Sequence, residues 1–442
     1  MTPSARLNTT QTFLIGLGFF GVSVIWGIYN AFVPVFLQNR FGLSPTQIAF
    51  FMTLDNIAAL LVQPPVGGWS DRLKTPIGRR MPFILAGAPL GAFAFGVLPL
   101  AQVLPLFVCC TSTLLLSMAL WRTPVVALMP DVTPSQFRSQ ANAIINFMGG
   151  LGALFAYFGG ATLYKMNPAF PFWMGGALVV VATLLLFAFV REPKVPLQSQ
   201  GDESPRDLLG SLGFLMRERD KSALFLLLAL FCWMVGYSAI ESFWTLYAGN
   251  RLGIGEANAT LLLGTLSLVF LIVALPVGYM ARIASRRTLV GGGLLLLAAL
   301  FLAIYALPVA TLTRPVFGLP LLGVVPVLGV LLMGCGVAWA LITIHALPMV
   351  VDMTDASRIG TYTGLYYLFS TLASIVGPNV NGWLVQLSGN NYNILMLSAP
   401  IWTLAAFALL MNVRRGEAND AAQPISVQKE HFALLASPRE NA

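Results

Sequence analysis

LVQPPVGGWSDRLKTPIGRRMPFILAG, residues 61–87, is a short charged loop held between two apolar runs. Gly67 and Gly68 let neighbouring helices approach closely where the first run ends. Asp71 and Arg72 follow at the end of that run, and Arg79 and Arg80 open the next. A carboxylate at a helix C-terminus opposes its own helix dipole, so Asp71 needs a partner elsewhere. Arg79, Arg80, Arg138 or a neighbouring helix N-terminus can supply it. Such ion pairs form in one conformation and break in another, which makes this loop a gate candidate. Ordinary loop charge at a membrane face is the plainer alternative.

Working outward, the chain has 442 residues, of which 57% are hydrophobic and 10% charged, with a mean hydropathy of +0.79. Soluble domains carry about a quarter charged residues, so this composition excludes a soluble globule and makes lipid the solvent. A membrane helix needs about 20 apolar residues. Twelve runs qualify: 13–36, 46–68, 82–101, 104–129, 139–163 and 171–190, then 223–248, 257–281, 288–310, 320–350, 359–388 and 393–412. The run 320–350 is long, and its last part is expected to be interfacial. The fold expected is an all-α membrane protein of twelve transmembrane helices. Arg6 before the first run, with no small-residue cleavage site after it, does not make a signal peptide, so that run is expected to be retained.

The net charge is +8, with basic residues lying between the apolar runs. With the N-terminus inside, 20 of the 25 Lys and Arg face the inner side and four (Arg40, Lys165, Arg251, Arg314) the outer, leaving Arg122 within a run. That asymmetry is a membrane-orientation signal and not a nucleic-acid surface; it puts both termini in the cytoplasm of a plasma or bacterial inner membrane. The expected domains are a six-helix bundle over 1–190, a linker over 191–222, a second six-helix bundle over 223–412 and a disordered tail over 413–442. In the linker, Leu208, Leu209, Leu212 and Leu215 have the spacing of an interfacial amphipathic helix.

The two halves echo each other. Pro65-Val66-Gly67 ends the second run and Pro276-Val277-Gly278 the eighth. Leu128-Met129-Pro130-Asp131-Val132-Thr133, then Arg138, ends the fourth; Met349-Val350-Val351-Asp352-Met353-Thr354, then Arg358, ends the tenth. Asp131, Arg138, Asp352 and Arg358 therefore join the gate candidates. Paired six-helix halves are the mark of a transporter with its site between the repeats and near the midplane.

The segment Gly68-Trp69-Ser70-Asp71-Arg72 with Arg79-Arg80 resembles the loop signature of the major facilitator superfamily. The longer string LVQPPVGGWSDR…GRRMPFI is similar to that of the sucrose and glucoside proton symporters of plants, animals and bacteria, where a third Arg stands in place of Met81. Arg122-Thr123-Pro124 through Asp131 to Arg138 and Asn142 is a second matching stretch. Arg282 stands where a second Asp71 would align, so the gate charge is not duplicated. The resemblance implies proton-coupled import of a disaccharide or glucoside, through a cavity lined by the first, fourth, seventh and tenth helices.

Ionisable residues inside membrane runs are functional candidates. Asp55 lies about nine residues, or about 14 Å, into the second run and so near the midplane. A carboxyl in a dry site can exchange a proton near neutral pH, making Asp55 a proton-coupling candidate beside Asn56; a fixed partner and a packing role are the alternative. Arg122 keeps its charge and needs an anion or several acceptors, as a counter-charge, a fork for sugar hydroxyls, or a side chain snorkelling to the interface. Helix rise alone separates it from Asp55 by about 13 Å along the membrane normal. Glu241 competes for proton coupling. Tyr237, Glu241 and Trp244 share a helix face, where a carboxylate would accept hydroxyls and a ring would stack on a pyranose; an outer-interface position is the alternative. Trp26, Asn30, Asn142, Trp339 and His345 complete the substrate-binding candidates. His345 alone is more often hydrogen-bonded structure than a switch.

Cys109, Cys110, Cys232 and Cys335 all sit in apolar runs without metal-ligand spacing. With two His, no metal site is expected, and no cofactor. No phosphate-binding loop and no nucleophile constellation are present, so the chain is not read as an enzyme. A coupling proton, a small sugar and the lipid bilayer are the expected partners, and a monomer the expected state. Sodium coupling and proton-driven efflux of hydrophobic compounds remain open alternatives. Asn30, Asn56, Arg122, Asn142, Asn146 and Glu241 give hydroxyl partners that favour sugar.

Overall fold

The structure, a computed structural model, describes residues 8–134, 137–192, 213, 215–216, 220–319, 323–354 and 358–417. Most of the expected linker helix, including Leu208, Leu209 and Leu212, and the tail beyond Glu417 lie outside them.

Long apolar helices cross back and forth. They are α1 (Thr9–Asn39), α2 (Pro45–Met52), α3 (Leu54–Arg72), α4 (Met81–Val97), α5 (Leu104–Val132), α6 (Arg138–Met166), α7 (Phe170–Phe189), α8 (Ser222–Leu252), α9 (Glu256–Met280) and α10 (Arg286–Ala306). After a single turn, α11 (Val309–Leu312), come α12 (Val327–Val351), α13 (Ile359–Leu387) and α14 (Ile394–Leu410). Counting Pro45–Arg72 as one, ten helices among the described residues are long and apolar enough to span a membrane. Ile394–Leu410 is apolar but 17 residues long, and the 29-residue α13 falls outside the ten.

Two expectations need correction. The run 46–68 is not one helix: the chain breaks at Thr53, whose hydroxyl donates to the Phe50 carbonyl at 2.8 Å. The excess length of 320–350 lies at its beginning, not its end. Residues Pro315–Leu319 (β1) and Gly323–Pro326 (β2) pair antiparallel ahead of α12, so the described residues are helical with one small ribbon.

Packing follows the chain's two halves. α1 lies on α5, α6 and α7, and α4 on α5 and α7; α8 lies on α13 and α14, and α10 on α12 and α14. Without a hydrophobic drive in lipid, close helix approach rests on small residues. Two glycines meet this need at matching places. A Cβ on Gly152 of α6 would lie 2.4 Å from the Phe20 carbonyl of α1, and one on Gly377 of α13 would lie 2.5 Å from the Val235 carbonyl of α8.

Across the halves, α1 touches α8, α2 touches α13 and α6 touches α9. At the end where α1 finishes, near Arg40, Gln38 donates to the Tyr392 hydroxyl at 2.8 Å and accepts from Asn250 at 3.0 Å. Asn379 donates to the Thr53 hydroxyl at 3.0 Å. α6 and α9 meet at Phe158 with Gly264 and at Gly150 with Leu271. Beyond these contacts, toward Arg79, Asn142, Asn146 and Phe147 on α6 and Ile272, Leu275 and Tyr279 on α9 are exposed. The halves are thus joined at the Arg40 end, and these two helices part toward the Arg79 end.

Candidate functional site

The break at Thr53 shapes the centre. It starts α3 at Leu54 and so puts Asp55 in the first turn of a helix that begins inside the molecule. A helix N-terminus favours an anion, and discontinuous helices near the midplane are where transporters hold charge. Asp55 Oδ1 accepts from the Asn56 amide at 2.7 Å. The charges of Arg122 and Glu241 both act on Asp55. Among the described residues, no carboxylate lies within 4.0 Å of the Arg122 guanidinium. Arg122, on α5, also feels Tyr367 of α13.

From the other side, Asn30 of α1 donates to Glu241 Oε1 of α8 at 3.4 Å, joining the two halves. Glu241 is half-buried and acts on Tyr157 of α6 and Tyr237 of α8. Tyr237 packs against Trp339 of α12 with ring centroids 3.7 Å apart, and Trp233 meets the same indole at 4.7 Å. A cavity of about 20 Å³ lies among Tyr237, Glu241, Trp244, Cys335 and Trp339, room for about one water. Trp26 meets Tyr29 edge-on at 5.6 Å, and the buried Tyr29 hydroxyl has no hydrogen-bond partner among the described residues.

The structure therefore brings together Asn30, Asp55, Asn56, Arg122 and Glu241, with Tyr237 and Trp339 beside them. Trp244 lines the small cavity with Tyr237 and Glu241, while its buried indole donates to the Ala259 carbonyl of α9 at 2.7 Å. Other candidates sit apart. Asn142 is exposed one turn into α6, and Asn146 donates back to its carbonyl at 2.9 Å. His345 is buried against α9 near Val277, and its Nε2 has no hydrogen-bond partner among the described residues. Tyr157 and Tyr367 enter the group only in the structure, because a tyrosine in an apolar run carries no sequence mark of what it faces. Among the described residues, no three of His, Cys, Asp and Glu gather where a metal could bind.

At the Arg79 end the charged residues form two clusters. In the first, Asp71 pairs with Arg80 and lies 4.0 Å from Arg79. Asp131 accepts from Arg79 at 2.6 Å and from Arg80 Nε at 3.0 Å, and Arg80 also bonds Ser70. Glu192, just past α7, takes the Arg80 backbone N–H at 2.9 Å and lies 3.6 Å from Arg79. Burial pushes the Glu192 carboxyl above the usual range, against the pull of the backbone N–H groups of Arg80, Arg79 and Met81. In the second cluster Arg286 pairs with Asp352, and Glu417 accepts the backbone N–H groups of Arg286 at 2.7 Å and Arg287 at 3.1 Å. Each half thus has a carboxylate beyond its last helix capping its third helix. The sequence reading missed Glu192 and Glu417; their matching places, just after 171–190 and 393–412, were the available signal. Arg72, Asp352 and Arg358 are exposed; the Arg138 backbone starts α6, and its side chain is outside the described set.

The family model described as Major Facilitator Superfamily matches residues 15–378. Sucrose transport protein SUT4 of Oryza sativa subsp. indica is 26% identical over 211 residues, 42% of this chain and 35% of that protein. Solute carrier family 45 member 4 of Mus musculus is 27% identical over 227 residues, 45% of this chain and 28% of that protein. The matches thus span about a third of these relatives' length. Among solved structures, nucleoside transporter NupG aligns over 92% of this chain and 100% of its own, with TM-score 0.68 and 14% identity. A bacterial homolog to the human lysosomal transporter Spinster, in inward-facing and occupied conformation, aligns over 93% and 95% with TM-score 0.66 and 14% identity.

Proposed function

The chain belongs to the major facilitator superfamily, and from that premise we propose that it imports a disaccharide or glucoside together with a proton, by alternating access. The observation that carries this reading is Asp55. It sits at the N-terminus of an internal helix, within electrostatic reach of a fixed cation, Arg122, and of Glu241, which is hydrogen-bonded across the halves to Asn30. Asp55 takes up and releases the coupling proton, and Arg122, Asn56, Asn30 and Glu241 meet sugar hydroxyls. Tyr237 and Trp339 offer aromatic surface to the apolar side of the ring. Twelve spans, counting α2 with α3 and including α13 and α14, form two six-helix bundles flanking this site. The basic Arg79 end faces the cytoplasm of a plasma membrane, following the distribution of Lys and Arg. The parted α6 and α9 then open inward, and the Asp71–Arg79–Arg80–Asp131 cluster with its Arg286–Asp352 counterpart serves as the gate. The sugar class is supported by the loop motif and by the likeness to SUT4.

The test is uptake of labelled sucrose, maltose and a β-glucoside into proteoliposomes, under a proton or a sodium gradient, for the protein and Asp55→Asn. Proton-driven accumulation that Asp55→Asn abolishes, with counterflow exchange retained, is expected. Accumulation unaffected by the substitution moves the proton to Glu241, and accumulation on sodium alone rejects proton coupling. Failure to move any sugar overturns the reading.

A further inference from the structure

Away from the central site, a cleft of about 570 Å³ opens at the Arg79 end between the start of α10 and the end of α14. Its rim carries three cations, Arg287, Arg414 and Arg415, and two hydroxyls, Ser285 and Thr288. Its wall is of another kind: Gly291, Gly292, Leu295, Phe407 and Met411. Ser285 caps α10 ten residues before Leu295, so the cleft runs about 15 Å from a charged mouth into the apolar depth of the bundle.

We propose that this cleft binds an anionic phospholipid, its phosphate at the arginines and an acyl chain along the apolar wall. The inference goes beyond transport and rests only on the membrane placement proposed above. Charge complementarity points to an anion. Three arginines at the mouth against two acids, Glu417 in the cleft and Asp220 on Arg415, leave one positive charge over; Glu417 is turned to the backbone N–H groups of Arg286 and Arg287, and Arg287 donates to the Met411 carbonyl at 2.5 Å. Arg415 is held by Asp220 at 2.6 Å. The exposed Arg414 anchors through its backbone to the Ser222 hydroxyl at 3.0 Å, and among the described residues its guanidinium pairs with no acid. Shape points to a chain below the headgroup. A Cβ on Gly292 would meet nothing within 4 Å, and Leu295 and Met411 stand 43% and 45% exposed beside that gap. An inorganic anion would use the mouth and leave the groove empty; an uncharged lipid would leave Arg414 without a counter-charge.

The test is native mass spectrometry of the purified full chain in detergent, titrated with phosphatidylglycerol, with phosphatidylcholine of the same chains, and with inorganic phosphate. Phosphatidylglycerol should bind at least tenfold more tightly than phosphatidylcholine. Arg414→Gln should weaken it roughly fivefold, as expected for one basic residue at a lipid surface. Gly292→Trp, which fills open space and so preserves the fold, should weaken it at least tenfold. Equal binding of the two lipids, unchanged binding in either variant, or displacement of phosphatidylglycerol by inorganic phosphate would overturn the proposal. None of these readouts depends on sugar uptake, so the transport reading can fail without touching them.

Discussion

A guanidinium holds its proton under all ordinary conditions, so Arg122 must be answered by geometry and not by titration. It reaches Asp55 and Tyr367 through its field while no carboxylate comes within 4.0 Å among the described residues. Its fork of donors therefore has no carboxylate to hold it, and on the proposed reading it meets the sugar hydroxyls. Arg122→Lys keeps the charge and loses the fork; half-saturation for sugar should rise at least about tenfold in uptake kinetics, with proton-driven accumulation retained at saturating sugar. Arg122→Gln should lower uptake efficiency by about 100-fold. An unchanged half-saturation in Arg122→Lys would argue for an electrostatic role alone. These residues were legible in the sequence because a lone Asp, Glu or Arg in an apolar run is costly and so conspicuous. Their grouping was not. Helix rise set Asp55 and Arg122 about 13 Å apart in depth, and nothing in one chain reveals that Asn30 and Glu241, 211 positions apart, meet.

Helices were legible as elements, since their ends carry charge, Pro or Gly. Their interruptions were harder. Met52-Thr53-Leu54 contains no helix breaker, and Thr53 is held by Asn379 from 326 positions away, so tertiary contact accompanies this break. The β1–β2 ribbon hid inside a run that reads as apolar whether helical or extended. Helix capping across the fold gives a measurable pH effect. Burial raises the Glu192 carboxyl above its unfolded value, near 4.3. A raised carboxyl contributes stability that is fully present below the unfolded value and is lost as pH rises through the folded one. The melting temperature of the protein relative to Glu192→Gln should therefore improve as pH falls from neutrality toward about 4.3. A difference that shrinks on acidification would show that the Arg79 pairing and the backbone donors outweigh burial.

At the scale of the whole molecule, the internal echo seen in the motifs extends to packing, from Gly152 and Gly377 to the caps at Glu192 and Glu417. The halves are latched at the Arg40 end by Gln38, Tyr392, Asn250, Thr53 and Asn379. Each such hydrogen bond contributes about 0.5–1.5 kcal/mol. Gln38→Leu with Asn379→Val should shift the balance toward opening at that end by at least about tenfold, read as a longer distance between spin labels at Asn39 and Gln386. Labels that stay together would mean that apolar packing of α2 on α13 holds the closure. The latch side chains named here are all uncharged, while the ion pairs of Arg79, Arg80 and Arg286 each stay within one half. Dissolved salt shortens the reach of charge from about 10 Å at 0.1 M to about 3 Å at 1 M, and a bond between amide and hydroxyl hardly senses it. A carrier shut in this way keeps the closure at its Arg40 end at the same setting in brine and in dilute medium.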